Sequence, residues 1–147
     1  MPADPTRVVA IARSWLGTPY HDQASRRGAG CDCLGLIRGV WRELLGPERL
    51  TVPAYSRDWG ETGREEVLAE AANRVLIRIS AHEAGTGAVI LFRMRSGAIV
   101  KHCGILTAPD RFIHAYERLG VIEEALTTAW RRRIAFAFLF PAAAMES

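Results

Sequence analysis

The spacing of apolar positions changes once along the chain. In the first half it is helical. Asp4 fits an N-cap with Pro5 at the first helical position, Val8, Ile11, Ala12, Trp15 and Leu16 share one face, and Gly17 ends the run. A second helix is expected from about residue 32 to 45, with Leu36, Ile37, Val40, Trp41, Leu44 and Leu45 as a wide apolar stripe and Gly46-Pro47 as its stop. A stripe that wide belongs to a buried, central helix. Residues 53–60 read as a loop. Thr62-Gly63-Arg64-Glu65 has the form of a capping box and opens a third helix ending near Asn73. From Ala88 onward the pattern is that of short strands, at 88–94, 99–106, 111–116, 120–125 and 134–140. Helices first and strands afterwards predict an α+β fold with N-terminal helices packed on an antiparallel sheet. No repeat, low-complexity tract or linker interrupts the chain, so residues 1–147 are expected to form a single domain.

Composition narrows the function. Hydrophobic residues make up 49% and charged residues 24%, an ordinary soluble balance. No stretch approaches the roughly 18 unbroken apolar residues of a membrane span. Met1-Pro2-Ala3-Asp4-Pro5 has neither a basic nor an apolar signal region, so work outside the cytoplasm is expected to need another route out. A net charge of +3 is too mild to argue for nucleic-acid binding, and Arg131-Arg132-Arg133 reads as a solvated strand end. Three cysteines, two of them separated by one residue, make no disulfide framework and suit synthesis in a reducing compartment.

The chemistry gathers around Cys33, which lies in Gly30-Cys31-Asp32-Cys33-Leu34-Gly35-Leu36 at the start of the second helix. A helix N-terminus favours a thiolate, and a neighbouring imidazole takes the proton. Two histidines follow on strands, His102 in Lys101-His102-Cys103-Gly104 and His114 in Ile113-His114-Ala115. Both are six residues from Ala108, within the turn-forming Thr107-Ala108-Pro109-Asp110. A hairpin centred there sets them opposite each other on one face. That face is expected to pack near the start of the second helix, with Cys33 meeting His102 and His114 behind it. One histidine alone is more simply a strand residue; two on one face with a helix-start cysteine point to a nucleophile, a base and an orienting group. Cys103 alternates to the other face and Cys31 precedes the helix, so both read as small buried hydrophobes. A rival set of zinc ligands, Cys31, Cys33, Cys103, His102 and His114, suffers from the short Cys-x-Cys gap. No metal or cofactor is required. The residues by themselves specify attack on an amide or thioester.

Taken in order, Gly17-Thr18-Pro19-Tyr20, Gly30-Cys31-Asp32-Cys33-Leu34-Gly35-Leu36-Ile37, Gly87-Ala88-Val89-Ile90-Leu91-Phe92, His102-Cys103-Gly104-Ile105 and Ile113-His114-Ala115 resemble the NlpC/P60 cysteine peptidases across nearly the whole chain. The resemblance implies a reduced papain-like fold and cleavage of peptidoglycan stem peptides, at a bond such as that between D-glutamate and diaminopimelate. It implies Cys33 as nucleophile, His102 as base and His114 as third member, with Tyr20 and Asp32 as substrate-binding residues of the cleft. Leu34 stands where the family usually has serine, and Gly87-Ala88 where it often has Gly-Asp; the first bears on specificity more than on chemistry. The motifs look most like those of peptidases encoded with phage and gene transfer agent tails. That implies assembly on a tail hub or baseplate protein and action at the periplasmic wall after synthesis in the cytoplasm. The alternatives are an acyltransferase or amidase of the same superfamily, and a catalytically idle structural tail component.

Overall fold

The computed structural model describes residues 1–49, 67–95 and 97–143. Helix α1 spans Pro5–Arg13, and the Asp4 side chain accepts the Thr6 N–H at 3.0 Å. Val8, Val9, Ala12 and Trp15 are buried beneath it, whereas Leu16, expected on the same face, is 44% exposed. The helix gives way to turns that close at Gly17, whose φ of +86° only glycine adopts freely. Helix α2 spans Cys33–Leu45 with Asp32 as its N-cap and Gly46 as its C-cap. Leu36 and Val40 are fully buried, each burial contributing roughly 1.5–3 kcal/mol. Helix α2 meets the turn that follows α1 where Gly39 faces the Trp15 ring; a Cβ at Gly39 would collide with that ring. Helix α3 spans Val67–Val75. The capping segment 62–65 and the loop 53–60 lie outside the described residues.

The expected strands form: β4 Val89–Phe92 and β8 Ile134–Leu139 are shorter than expected, β5 His102–Ala108 is shifted towards its C-terminal end, and β6 Arg111–Tyr116 and β7 Gly120–Ala125 keep their bounds. Three more are short and escaped the sequence reading. Strands β1 (Ser25–Arg26) and β2 (Gly30–Cys31) pair as a small hairpin before α2, and β3 (Ile77–Ile79) pairs with β8. The main sheet has the order β3-β8-β4-β5-β6-β7 and is antiparallel throughout. A one-turn helix, α4 (Thr128–Arg131), is capped by Thr127 and joins β7 to β8. Arg131 therefore ends a helix and does not sit at a strand end.

Both faces of the sheet are covered. Val89, Leu91, Cys103, Ile105, Ile113, Ala115 and Phe138 pack towards α1 and α2, against Trp15, Leu36 and Val40. On the other face Ile90, Phe92, Leu106, Phe112 and Ala137 pack with Leu126 and Trp130. Burial on both sides explains why β4 is an unbroken apolar run, Val89-Ile90-Leu91-Phe92, with no alternation. The architecture is α+β, with helices on an antiparallel sheet. No helix among the described residues is long and apolar enough to cross a membrane.

Candidate active site

The segment before α2 doubles back and clamps the helix start. Tyr20 bridges to Cys31, and the β1–β2 hairpin follows. Arg42 donates to the Ser25 carbonyl at 2.6 Å and to its hydroxyl at 2.9 Å, while that hydroxyl donates to the Gly35 carbonyl at 2.6 Å. Asp32 is 3% exposed; one carboxylate oxygen accepts the Gly35 N–H and the other the Gln23 N–H, each at 2.7 Å. The Asp32 carboxylate thus caps α2 and pins the loop. Cys33 follows as the first helical residue, half-buried, on a platform held from both sides.

The Cys33 sulfur lies 3.7 Å from the Lys101 carbonyl oxygen, at the entry to β5. Its thiol is held well below the ordinary cysteine range. The largest cause is a hydrogen bond from the Cys103 thiol; a hydrogen bond and positive charge from His102 add to it, against the opposing pull of burial. Cys103 moves the other way, raised by that same bond and by burial. Cys31, wholly buried in β2, is pushed up to about 12 by burial and then by the charges of Asp32 and Cys33. Of the three thiols, Cys33 is the one whose ionised form its surroundings favour. Iodoacetamide should therefore alkylate Cys33 nearly as fast at about pH 6 as at about pH 8, with Cys31 and Cys103 left unmodified in the folded protein. Peptide mass mapping after each exposure reads this directly, and equal labelling of Cys31 would contradict it.

His102 and His114 do lie on one face and in contact, with His102 Nε2 and His114 Nδ1 2.6 Å apart. This leaves Nδ1 of His102 as the nitrogen for Cys33. Two expectations need correction. The hairpin turns at Pro109-Asp110 with a bulge, pairing Ile105 with Ile113 and Leu106 with Phe112, so the histidines are diagonal neighbours rather than directly opposed. The face that packs on α2 is the Cys103 face; His102 and His114 stand on the other, against Phe92, Phe112, Tyr116 and Trp130. Cys33 meets His102 at the start of β5, not across the middle of the sheet.

Gly104 lies opposite His114 in the β5–β6 register, and the backbones approach closely there. A Cβ there would lie 2.9 Å from the Ile113 carbonyl oxygen and 3.2 Å from His114 Cβ. His114 is fully buried and its pKa falls to about 3, chiefly through burial and secondly through the charge of His102, so it is neutral at neutral pH. Its Nε2 is 2.7 Å from Glu124 Oε2 on β7, a residue the sequence reading did not single out. Tyr20 is half-buried; burial raises its phenol, and the charge of Cys33 raises it further, which places the hydroxyl in the electrostatic reach of the sulfur. Among the described residues no group of three or more His, Cys, Asp or Glu side chains is placed to hold a metal ion.

The NlpC/P60 family model matches residues 17–137. The chain belongs to the NlpC/P60 family. Its fold is shared with solved NlpC/P60 structures of low sequence identity. The NlpC/P60 domain of the peptidoglycan hydrolase SagA is 20% identical with a TM-score of 0.66, over 92% of this chain and 98% of that domain. An NLP/P60 family protein described as similar to lipoprotein, from Staphylococcus aureus, is 23% identical with a TM-score of 0.63, over 96% of this chain. An NlpC/P60 family protein from Bacillus cereus is 18% identical with a TM-score of 0.65, over 93% of this chain. The chain spans 43% of the Staphylococcus protein and 40% of the Bacillus one. No curated protein gives a significant match.

Proposed function

We propose that this NlpC/P60 domain is a peptidoglycan endopeptidase that cleaves stem-peptide amide bonds through an acyl-enzyme. The observation that carries the reading is the line Cys33, His102, His114: a thiol lowered well below its ordinary range, at the start of a helix, beside an imidazole whose far nitrogen is held at 2.6 Å by a second, buried imidazole. Cys33 thiolate attacks the scissile carbonyl carbon. The backbone N–H at the helix start stabilises the developing oxyanion. As the tetrahedral intermediate collapses, the C–N bond breaks and the proton on His102 Nδ1 goes to the leaving amine. Water, deprotonated by the same nitrogen, then attacks the thioester and releases the acid and the thiolate. His114 keeps His102 in the right tautomer and orientation, and Tyr20 lines the cleft.

Family membership and the likeness to the SagA domain support peptidoglycan as substrate class. The motif resemblance to tail-encoded peptidases supports the finer reading: synthesis in the cytoplasm, docking on a tail hub or baseplate protein, and action at the periplasmic wall. Two measurements test the two halves. Purified protein should release soluble stem-peptide fragments from sacculi; recovery of intact sacculi would leave the idle structural role. Mass spectrometry of purified tail-like particles should find the chain; its presence only in free cytosol would remove the delivery reading and favour a cytoplasmic amidase or acyltransferase.

A further inference from the structure

Two imidazoles in contact can share protons in more than one way, and only some arrangements leave His102 able to serve Cys33. We infer that Glu124 is a positioning residue that fixes the arrangement: its carboxylate holds the proton on His114 Nε2 and, through His114, turns the proton-accepting edge of His102 towards Cys33. The inference rests on the proposed roles of Cys33 and His102.

An ionised carboxylate only accepts, so His114 Nε2, 2.7 Å from Glu124 Oε2, must carry a hydrogen. Burial keeps His114 neutral, so its Nδ1 then carries none and also accepts. The partner of that Nδ1 at 2.6 Å is His102 Nε2, which must therefore donate. With Nε2 committed, His102 has Nδ1 left to exchange a proton with Cys33. Removing the carboxylate frees His114 to adopt the opposite tautomer. Its Nδ1–H then points at His102 Nε2, forces the proton of a neutral His102 onto Nδ1, and leaves no acceptor for the thiol.

Strand register puts Glu124 in place. It pairs with Phe112 on β6 and so shares the face of Phe112 and His114. Its neighbour Glu123 points the other way, to Arg13 at 3.0 Å and Thr107 at 2.8 Å. Two adjacent acids thus serve opposite faces. The Glu124 side chain is 36% exposed, while His114 is fully buried among the rings of Phe112, Tyr116 and Trp130.

The test compares Glu124→Leu with Glu124→Gln on soluble muropeptides, beside Cys33→Ala. Glu124→Leu should lower kcat about tenfold to a hundredfold with KM within about twofold, because substrate contacts are untouched. Glu124→Gln should recover most of that loss, since an amide oxygen still accepts from His114 Nε2–H. A folded Glu124→Leu protein with wild-type kcat, or a Gln variant as impaired as the Leu variant, overturns the inference. Imidazole 15N spectra of the wild-type protein decide the matter even if Glu124→Leu does not fold: His114 protonated on Nε2 supports it, and His114 protonated on Nδ1 overturns it. Retained hydrolysis in Cys33→Ala would instead sink the proposed mechanism, while the spectra would still report on Glu124.

Discussion

Replacing Cys33 with alanine should leave a folded protein whose peptidoglycan hydrolysis is reduced by about a thousandfold or more, the scale on which nucleophile removal acts in enzymes that form acyl intermediates. Folding should survive because what holds the start of α2 is not the thiol. Asp32 caps the helix through Gly35 and fastens the loop through Gln23, and Ser25 and Arg42 tie the preceding hairpin to it. The other two cysteines should separate from Cys33 and from each other. Cys31 is buried in β2 with a raised pKa, so Cys31→Ala should retain near-wild-type turnover in whatever fraction folds. Cys103→Ala removes the thiol that donates to Cys33 and so should reduce turnover by about tenfold, the worth of one hydrogen bond to a charged group. Turnover on muropeptides, with a thermal melt of each variant, checks the series. A folded Cys31→Ala as inactive as Cys33→Ala would mean that the nucleophile has been misassigned.

The parts of this fold that could be read from sequence are those fixed locally. Asp4 is a short polar cap ahead of a periodic apolar run and caps where expected. Asp32, expected as the first residue of the second helix, is its N-cap. Strands β6 and β7 have the expected bounds because the turns between them are written in the chain. Strand β3 was not legible: Ile77-Arg78-Ile79 is too short to show a period and exists by pairing with β8, some sixty residues away. The hairpin centre was misplaced because Thr107-Ala108-Pro109-Asp110 offers two possible turns, and a bulge decides for Pro109-Asp110. The resulting shift is even in residue number. It changed which residues oppose each other but not which face they occupy, so His102 and His114 still meet.

Other parts of the site were hidden for physical reasons. Alternation tells that His102 and Cys103 lie on opposite faces, but not which face receives the helices. The packing of Cys103 with Leu36 and Val40 settles that. It also explains how a cysteine read as a small buried hydrophobe comes to influence the Cys33 thiol. Glu124 stands beside Glu123 in a short strand, and a single sequence does not say which acid faces the histidines. Gly104 carries no side chain to draw notice, although a Cβ there would crowd Ile113, Phe112 and His114 on β6.

The two histidines should differ in how much depends on them. His102→Ala removes the group that moves the proton and stabilises the thiolate, so turnover should fall by roughly a thousandfold, within the range of general acid–base catalysis. Iodoacetamide labelling of Cys33 at about pH 6 should slow as well, because the positive partner of the thiolate is gone. His114→Gln should be milder, a loss of about tenfold to a hundredfold. A glutamine amide oxygen can accept from His102 Nε2–H, as the third group of such triads does, while its amide N–H can still reach towards Glu124. The smaller effect follows from position: His114 is fully buried and contacts His102 at Nε2. Steady-state kinetics of both variants on muropeptides, with Cys33 labelling rates measured on the same preparations, make the comparison. An inactive, folded His114→Gln beside a His102→Ala protein that still turns over would exchange the two roles, and would place the proton-transferring nitrogen on β6 instead of β5.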